Sequence, residues 1–320
     1  MRLVHGSLIL GYHRVLPALD RGPLGAVSGP GLTAEVKRFR RQLEVLARLF
    51  AIVPLHELLA QLLDGDVRPG QAAITFDDGY ADNYLHAFPV LSRMGIPATI
   101  FLITDHIEHG VPFLWDGAAR LLQATMEHAL PLPVELNGDL ALGIPVNAPQ
   151  SLQRLKKLLG GMDRHKRCEL LGKIAPIVPE DERPLSWDQV RAMLGRGVSF
   201  GAHSCSHPSL VEVSDSRLRD EVESSRDLIA ARLGVAPVSF AYPFGRFDAR
   251  VCAAVESAGF LGAVTINRSL CTSASRRYVL PRLTVMNWET HTFLYNIARL
   301  AAISALPAPV KAWARGMRAR

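Results

Sequence analysis

Two carboxylates and two histidines follow apolar runs of the sequence in a pattern that suits a metal ion. Asp77 and Asp78 directly follow one apolar run, and His203 directly follows another, with His207 four residues later. Two imidazoles and one carboxylate can hold a metal and leave positions open for water and substrate. Histidines four residues apart reach one ion if their segment turns helically. We therefore predict a metal site formed by Asp78, His203 and His207, with Asp77 beside it.

A third segment of interest is the turn Tyr-Pro-Phe-Gly, which contains Phe244 and follows the apolar run 238–242. The backbone N–H of Phe244 is predicted to stabilise an oxyanion that develops at a nearby metal. The alternative is that this apolar turn only shapes the wall of a groove.

Short apolar runs typical of strands alternate with amphipathic stretches typical of helices. The predicted strands are residues 7–13, 71–76, 97–103, 198–203, 238–242 and 261–265. The predicted helices are residues 39–50, 56–65, 84–94, 186–197, 214–233 and 249–259. Repeated units of this kind indicate an α/β fold with a parallel sheet, and their number favours a distorted (β/α)7-type barrel. Since such barrels carry their active sites at the carboxyl ends of the strands, the three polar clusters are expected to meet.

Residues 108–184 interrupt this alternation and are predicted to form an insertion in a single catalytic domain that spans 1–320. Asn137-Gly138 predicts the turn of a small hairpin, and a charged helix is expected over 150–175. Basic and apolar residues alternate over 293–320, which predicts an amphipathic tail that either touches an anionic membrane surface peripherally or remains solvated.

Composition limits the classes of function. The formal net charge is +6 and the isoelectric point about 9.3. The basic residues are dispersed and lack interleaved aromatics, so no nucleic-acid partner is predicted. No signal peptide is evident, so we expect a cytoplasmic protein or one at the inner membrane face. Nothing in the sequence indicates the oligomeric state.

Three motifs in order, TFDDGY, H-S-x-x-H and YPFG, resemble those of the polysaccharide deacetylase family of NodB-type carbohydrate esterases. The opening LGYHRV and the late LPRLTV extend the resemblance over nearly the whole chain. It implies a distorted barrel and hydrolysis of N-acetyl groups on an amino-sugar glycan. The YPFG turn resembles a branch that acts on poly-N-acetylglucosamine and other bacterial surface glycans.

The resemblance also implies roles for individual residues. Asp77 matches the catalytic base, while Asp78, His203 and His207 match the ligands of a divalent metal, Zn²⁺ in the first place and Co²⁺ or another divalent ion as alternatives. In the YPFG branch, the histidine of an N-terminal Tyr-His pair is placed to act as the general acid. His13 matches that residue, although another residue can fill the role.

One position departs from the common pattern, because many family members carry an arginine where this chain has Ala241. That arginine pairs with the base carboxylate. Arg282 lies in a late predicted strand, and we hypothesise that it supplies the missing positive charge near Asp77. Two alternatives to an N-deacetylase remain: the same site acting on O-acetyl esters or cyclic amides, and a catalytically silent glycan-binding protein.

Overall fold

A computed structural model describes residues 5–19, 32–126 and 149–305. The strands in these ranges are β1 (Leu8–Tyr12), β2 (Arg14–Leu16), β3 (Thr33–Glu35), β4 (Ala51–Ile52), β5 (Gln71–Phe76), β6 (Ala98–Leu102), β7 (Val198–Ala202), β8 (Ser239–Ala241), β9 (Gly262–Val264) and β10 (Leu283–Thr284). The α-helices there are α1 (Val36–Leu49), α2 (Leu55–Leu63), α3 (Phe88–Met94), α4 (Thr104–His109), α5 (Leu114–Met126), α6 (Pro149–Gly161), α7 (Arg164–Ile174), α8 (Trp187–Met193), α9 (Asp215–Leu233), α10 (Ala249–Ser257) and α11 (Thr290–Ala305).

The main sheet is parallel throughout and has the strand order β10-β1-β5-β6-β7-β8-β9, with β4 paired to the start of β5. Leu280, just before β10, forms a bridge to Val264 at the end of β9. The sheet is therefore curled so that its two end strands approach each other, and helices surround it. The predicted α/β fold with a barrel-like parallel sheet is confirmed.

The local sequence explains why these elements form where they do. Every residue of β5 is buried, as expected for a central strand that is covered on both faces. The Ser214 hydroxyl caps the start of α9 by accepting the Arg217 N–H, and Gly234 ends the helix in the left-handed conformation. Ser186 and Gln189 form a reciprocal capping box at α8. Caps and apolar runs thus fix the ends of the elements that carry the site.

The prediction of one helix over 150–175 is wrong, because two helices, α6 and α7, occupy this stretch. Asp163 separates them, since its carboxylate accepts the backbone N–H groups of His165 and Lys166 and so starts a new helix. Helices α5, α6 and α7 share an apolar cluster that includes Leu121, Leu155 and Leu171. The hairpin predicted around Asn137-Gly138 lies outside the described residues.

The predicted amphipathic tail begins within α11. Phe293, Ile297 and Leu300 are buried in the main core, so the apolar face of this helix already packs against the protein. Residues 306–320 of the tail lie outside the described ranges. Among the helices that the structure describes, none has the length and apolar character needed to cross a bilayer. Peripheral contact with a membrane stays a prediction.

Candidate active site

The predicted polar clusters meet at the carboxyl ends of the strands, around one cavity of about 970 Å³. The sequence-predicted residues that line it are His13, Asp77, Asp78, His203, His207 and Phe244. Arg282 is buried and reaches Asp77 from within the sheet. The fold therefore brings together residues that are more than 200 positions apart in the chain.

The three predicted metal ligands converge. The Nε2 atoms of His203 and His207 lie 3.6 and 3.8 Å from Oδ1 of Asp78, and one ligand atom from each residue falls within 4.8 Å of the others. These distances are too long for hydrogen bonds. Ligands bound at about 2.1 Å in a tetrahedral arrangement lie about 3.4 Å apart, so the cluster fits a shared divalent ion.

A backbone carbonyl orients the His203 ring, and burial favours the neutral form of both histidines. Nδ1 of His203 lies 2.7 Å from the carbonyl oxygen of Ala241, which leaves Nε2 free to face Asp78. Burial lowers the pKa of both imidazoles, which favours the neutral form that a metal requires. The His207 ring contacts Trp115 and Phe244 edge to face, at centroid distances of 5.1 and 4.6 Å. The backbone carbonyl of Ala241 thus orients the predicted metal ligand His203.

The histidine segment does not turn helically, so that expectation is wrong. Ser204 and His207 instead adopt left-handed backbone conformations, with φ of 65° and 58°. Glu221 of α9 holds this loop, because its carboxylate accepts the N–H groups of Cys205 and Ser206 at 3.0 and 2.8 Å and the Ser206 hydroxyl at 2.5 Å. Glu221 was not predicted as a site residue, because it lies in the middle of a charged helix and belongs to no local motif.

We predict that Glu221→Ala lowers Zn²⁺ affinity by about 10- to 100-fold, as losses of outer-shell partners do elsewhere. The reason is that the loop between the two ligands loses three hydrogen bonds. Competition with a chromophoric chelator measures the affinity. Glu223→Ala, an exposed carboxylate on the same helix, is the matched control and should bind Zn²⁺ like the wild type. Equal affinity in both variants would show that Glu221 does not position the site.

Asp78 is held in a strained turn beside the histidines. Its φ is 72°, and the following Gly79 has a φ of 82° and a position at which a Cβ would lie 2.9 Å from Leu102. Such strain concentrates at functional sites. Burial, with the nearby Asp77 and Asp116, raises the pKa of Asp78 well above its usual value. A bound cation offsets this cost of a buried carboxylate.

Asp77 is paired with Arg282. The guanidinium donates two hydrogen bonds of 2.7 Å to the two carboxylate oxygens, one of 2.9 Å to the Thr265 carbonyl and one of 3.1 Å to Thr75 Oγ1. Burial alone would raise the pKa of Asp77, but Arg282 outweighs it and holds that pKa well below the usual range. Arg282 thus lies where we hypothesised a replacement for the motif arginine, and its effect on catalysis stays a prediction.

Replacing Arg282 by alanine is predicted to lower the free energy of unfolding by about 3–5 kcal/mol, because it leaves a buried charge unpaired. Urea unfolding followed by circular dichroism measures this loss. Arg277→Ala removes an exposed pair with Glu256 and should cost at most about 1 kcal/mol. If the two variants lose the same stability, the Asp77–Arg282 pair is not a structural anchor.

His13 lies next to the same carboxylate, with Nε2 3.8 Å from Oδ2 of Asp77. Its Nδ1 is buried and has no hydrogen-bond partner among the described residues. Burial lowers the pKa of His13 to about 4. The free protein therefore holds His13 neutral at pH 7, and the residue must accept a proton during a reaction before it can act as an imidazolium acid.

Aromatic side chains form the rim of the cavity. Trp115 lines the cavity and is fixed from behind, since its Nε1 donates to the Tyr80 hydroxyl at 2.6 Å. Phe244 has a φ of 58° and is 56% exposed, so its ring is available to a ligand. Trp187, by contrast, packs against the core and donates to Glu108. Oxyanion binding by the Phe244 N–H stays a prediction.

The chain belongs to the polysaccharide deacetylase family, whose sequence profile matches residues 64–263, more than half of the chain. Family membership, together with this site, supports a deacetylase as the class of enzyme.

Several relatives are similar to this chain. A putative polysaccharide deacetylase of Bacillus subtilis, YxkH, is 22% identical over 226 residues, which cover 70% of this chain and 55% of that protein. The deacetylase PplD of Streptococcus pyogenes, solved with acetate, has a TM-score of 0.63 at 18% identity, covering 93% of this chain and 99% of that one. IcaB of Ammonifex degensii has a TM-score of 0.59 at 18% identity, covering 93% and 97%. These structures show the shared fold.

Proposed function

We propose that this protein is a metal-dependent hydrolase that removes N-acetyl groups from an amino-sugar oligo- or polysaccharide. One observation carries the proposal: the Asp78–His203–His207 cluster and the Arg282-paired Asp77 face the same cavity. A divalent ion held by the cluster would polarise the acetamide carbonyl and make a water molecule acidic. Zn²⁺ suits the donor set of two neutral imidazoles and one carboxylate.

In this proposal, Asp77 and His13 transfer the protons. Asp77 is a charged carboxylate and accepts the proton of the attacking water. His13 receives that proton from Asp77 and delivers it to the glycan nitrogen as the carbon–nitrogen bond breaks. The products are acetate and a free amine on the sugar. We assign to the Phe244 N–H a hydrogen bond to the carbonyl oxygen, which stabilises the negative charge that develops on that oxygen.

The position of His13 favours an amide over an ester. An amine leaves only when its nitrogen is protonated, whereas a sugar hydroxyl is a better leaving group and needs less help. A proton carrier 3.8 Å from the base therefore suits N-acetyl substrates. The stacking surfaces of Trp115 and Phe244 suit the apolar faces of sugar rings.

Acetate release from two substrates tests the proposal. The Zn²⁺-loaded enzyme should release acetate from a short chitin oligosaccharide with a kcat/KM at least about tenfold above that for acetylated xylan. A preference for xylan would establish the O-acetyl esterase alternative. Binding of either saccharide without acetate release would establish the silent glycan-binding alternative.

A further inference from the structure

Basic side chains lie around the cavity beyond the metal-ligand cluster. Lys156 and Lys157 of α6 line one part of it, and Arg268, which follows β9, lines another. Away from Asp77 and Asp78, the described lining contains a single acidic residue, Glu212, which pairs with Arg246. The described surface that a bound glycan meets outside the reacting centre is therefore positive.

None of these three cations, Lys156, Lys157 and Arg268, forms a close ion pair within the part of the chain that the structure describes. Other arginines of the described surface do find carboxylates, as Arg250 does with Asp215 and Arg217, at the cavity edge, with Glu221. An anionic ligand would therefore meet positive charge that the described residues do not neutralise through close ion pairs.

Lys156 is the cation whose surroundings most favour binding of an anion. It is half-buried, and burial lowers its pKa, while the charge of Asp116 partly offsets this effect. The Asp116 carboxylate already accepts a hydrogen bond of 2.5 Å from Tyr80. Partial loss of water disfavours a charged lysine, and an anion bound in the cavity would oppose that effect.

The cations flank the reacting centre. Helix α6 packs with Leu114 in one apolar cluster, next to Trp115. Arg268 follows Ile266, which lies against Gly245 next to Phe244. Both aromatic rings contact the metal ligand His207. Positive charge thus lies next to both aromatic residues, Trp115 and Phe244, that contact His207.

We propose that Lys156 and Lys157 on one side of the cavity, and Arg268 on another, bind anionic groups of the substrate, so that the substrate is an acidic N-acetylated glycan. The anion is a uronate carboxylate or a phosphate ester on a sugar next to the N-acetyl group. This inference rests on the proposed function and names its substrate class. It also disfavours a homopolymer of N-acetylglucosamine, because each deacetylation leaves an ammonium group that these cations repel.

Hyaluronan oligosaccharides and chitin oligosaccharides of the same length provide an acidic and a neutral N-acetylated substrate. We expect the Zn²⁺-loaded enzyme to favour the acidic one in kcat/KM by about tenfold or more at low salt, and to lose most of that preference near about 0.5 M NaCl. The variant Lys156→Ala/Lys157→Ala should lower the acidic-to-neutral ratio by about tenfold, and Arg268→Ala should lower it as well. N-acetylglucosamine 1-phosphate tests the phosphate ester as the anionic group, as hyaluronan tests the uronate carboxylate.

Lys166→Ala/Lys173→Ala is the matched control, because it removes two lysines from α7, in the same insertion but outside the described cavity lining. It should keep the wild-type ratio. A wild-type preference for the neutral substrate, or an equal loss on both substrates in the α6 variant, would overturn the anion-binding proposal. If no acetate is released from any saccharide, the proposed function fails. Calorimetry of saccharide binding then tests the anion-binding proposal separately. Tighter binding of hyaluronan oligosaccharides that the α6 variant loses supports this proposal, and equal binding of both saccharides refutes it.

Discussion

Replacing Asp77 with asparagine is expected to lower kcat/KM for acetate release by about 10³-fold or more, while the protein still binds its metal ion. The substitution removes the only assigned acceptor for the water proton but leaves Asp78, His203 and His207 unchanged. The amide oxygen of asparagine can still accept one hydrogen bond from Arg282, but the buried guanidinium loses its counter-charge, so a circular dichroism spectrum must show that the variant is folded. The rate is measured by a coupled acetate assay, and the metal content by mass spectrometry.

The two readouts together separate a catalytic effect from a structural one. A variant with wild-type metal content and a circular dichroism spectrum like that of the parent, but almost no activity, assigns the base to Asp77. Activity within about tenfold of the wild type would show that another residue acts as the base. His13 is the candidate that lies nearest to Asp77.

Substitution His203→Ala is expected to remove both bound metal and activity. The imidazole supplies one of three ligands, and a site left with Asp78 and His207 has too few donors to retain the ion at micromolar concentration. We expect less than about a tenth of the wild-type metal content after dialysis, and acetate release at the background rate.

An exposed histidine provides the control for that variant. His291 lies at the start of α11 and is outside the described lining of the cavity, so His291→Ala should retain full metal content and full activity. One equivalent of bound metal and undiminished activity in His203→Ala would show that the histidine cluster is not the metal site.

Much of the frame could be predicted from the sequence because local signals agree with the fold. The apolar run that ends at Phe76 is buried along its whole length, and the polar residues that follow it must then lie at the edge of the sheet. The same reasoning placed His203 after β7. Ser186, Ser214 and Gly234 set helix ends through caps that can be recognised in the sequence.

The remaining features depend on contacts between distant segments. Glu221 anchors the histidine loop from a helix whose sequence shows only charge, and the Ala241 carbonyl that orients His203 is a backbone atom with no sequence signature. Left-handed conformations at Ser204 and His207 replaced the expected helical turn, because hydrogen bonds to Glu221 hold the loop. Strand order suggested Arg282, but only the three-dimensional structure gives its paired contact with Asp77.

Removal and return of the metal tests the central claim most directly. The purified protein is dialysed against a chelator, assayed for acetate release from N-acetylated oligosaccharide, and assayed again after one equivalent of Zn²⁺ or Co²⁺ is added. We predict that activity falls to background and returns with the ion in the wild-type protein, and that it does not return in His203→Ala. Full activity in chelator-treated protein that contains no metal would contradict the account.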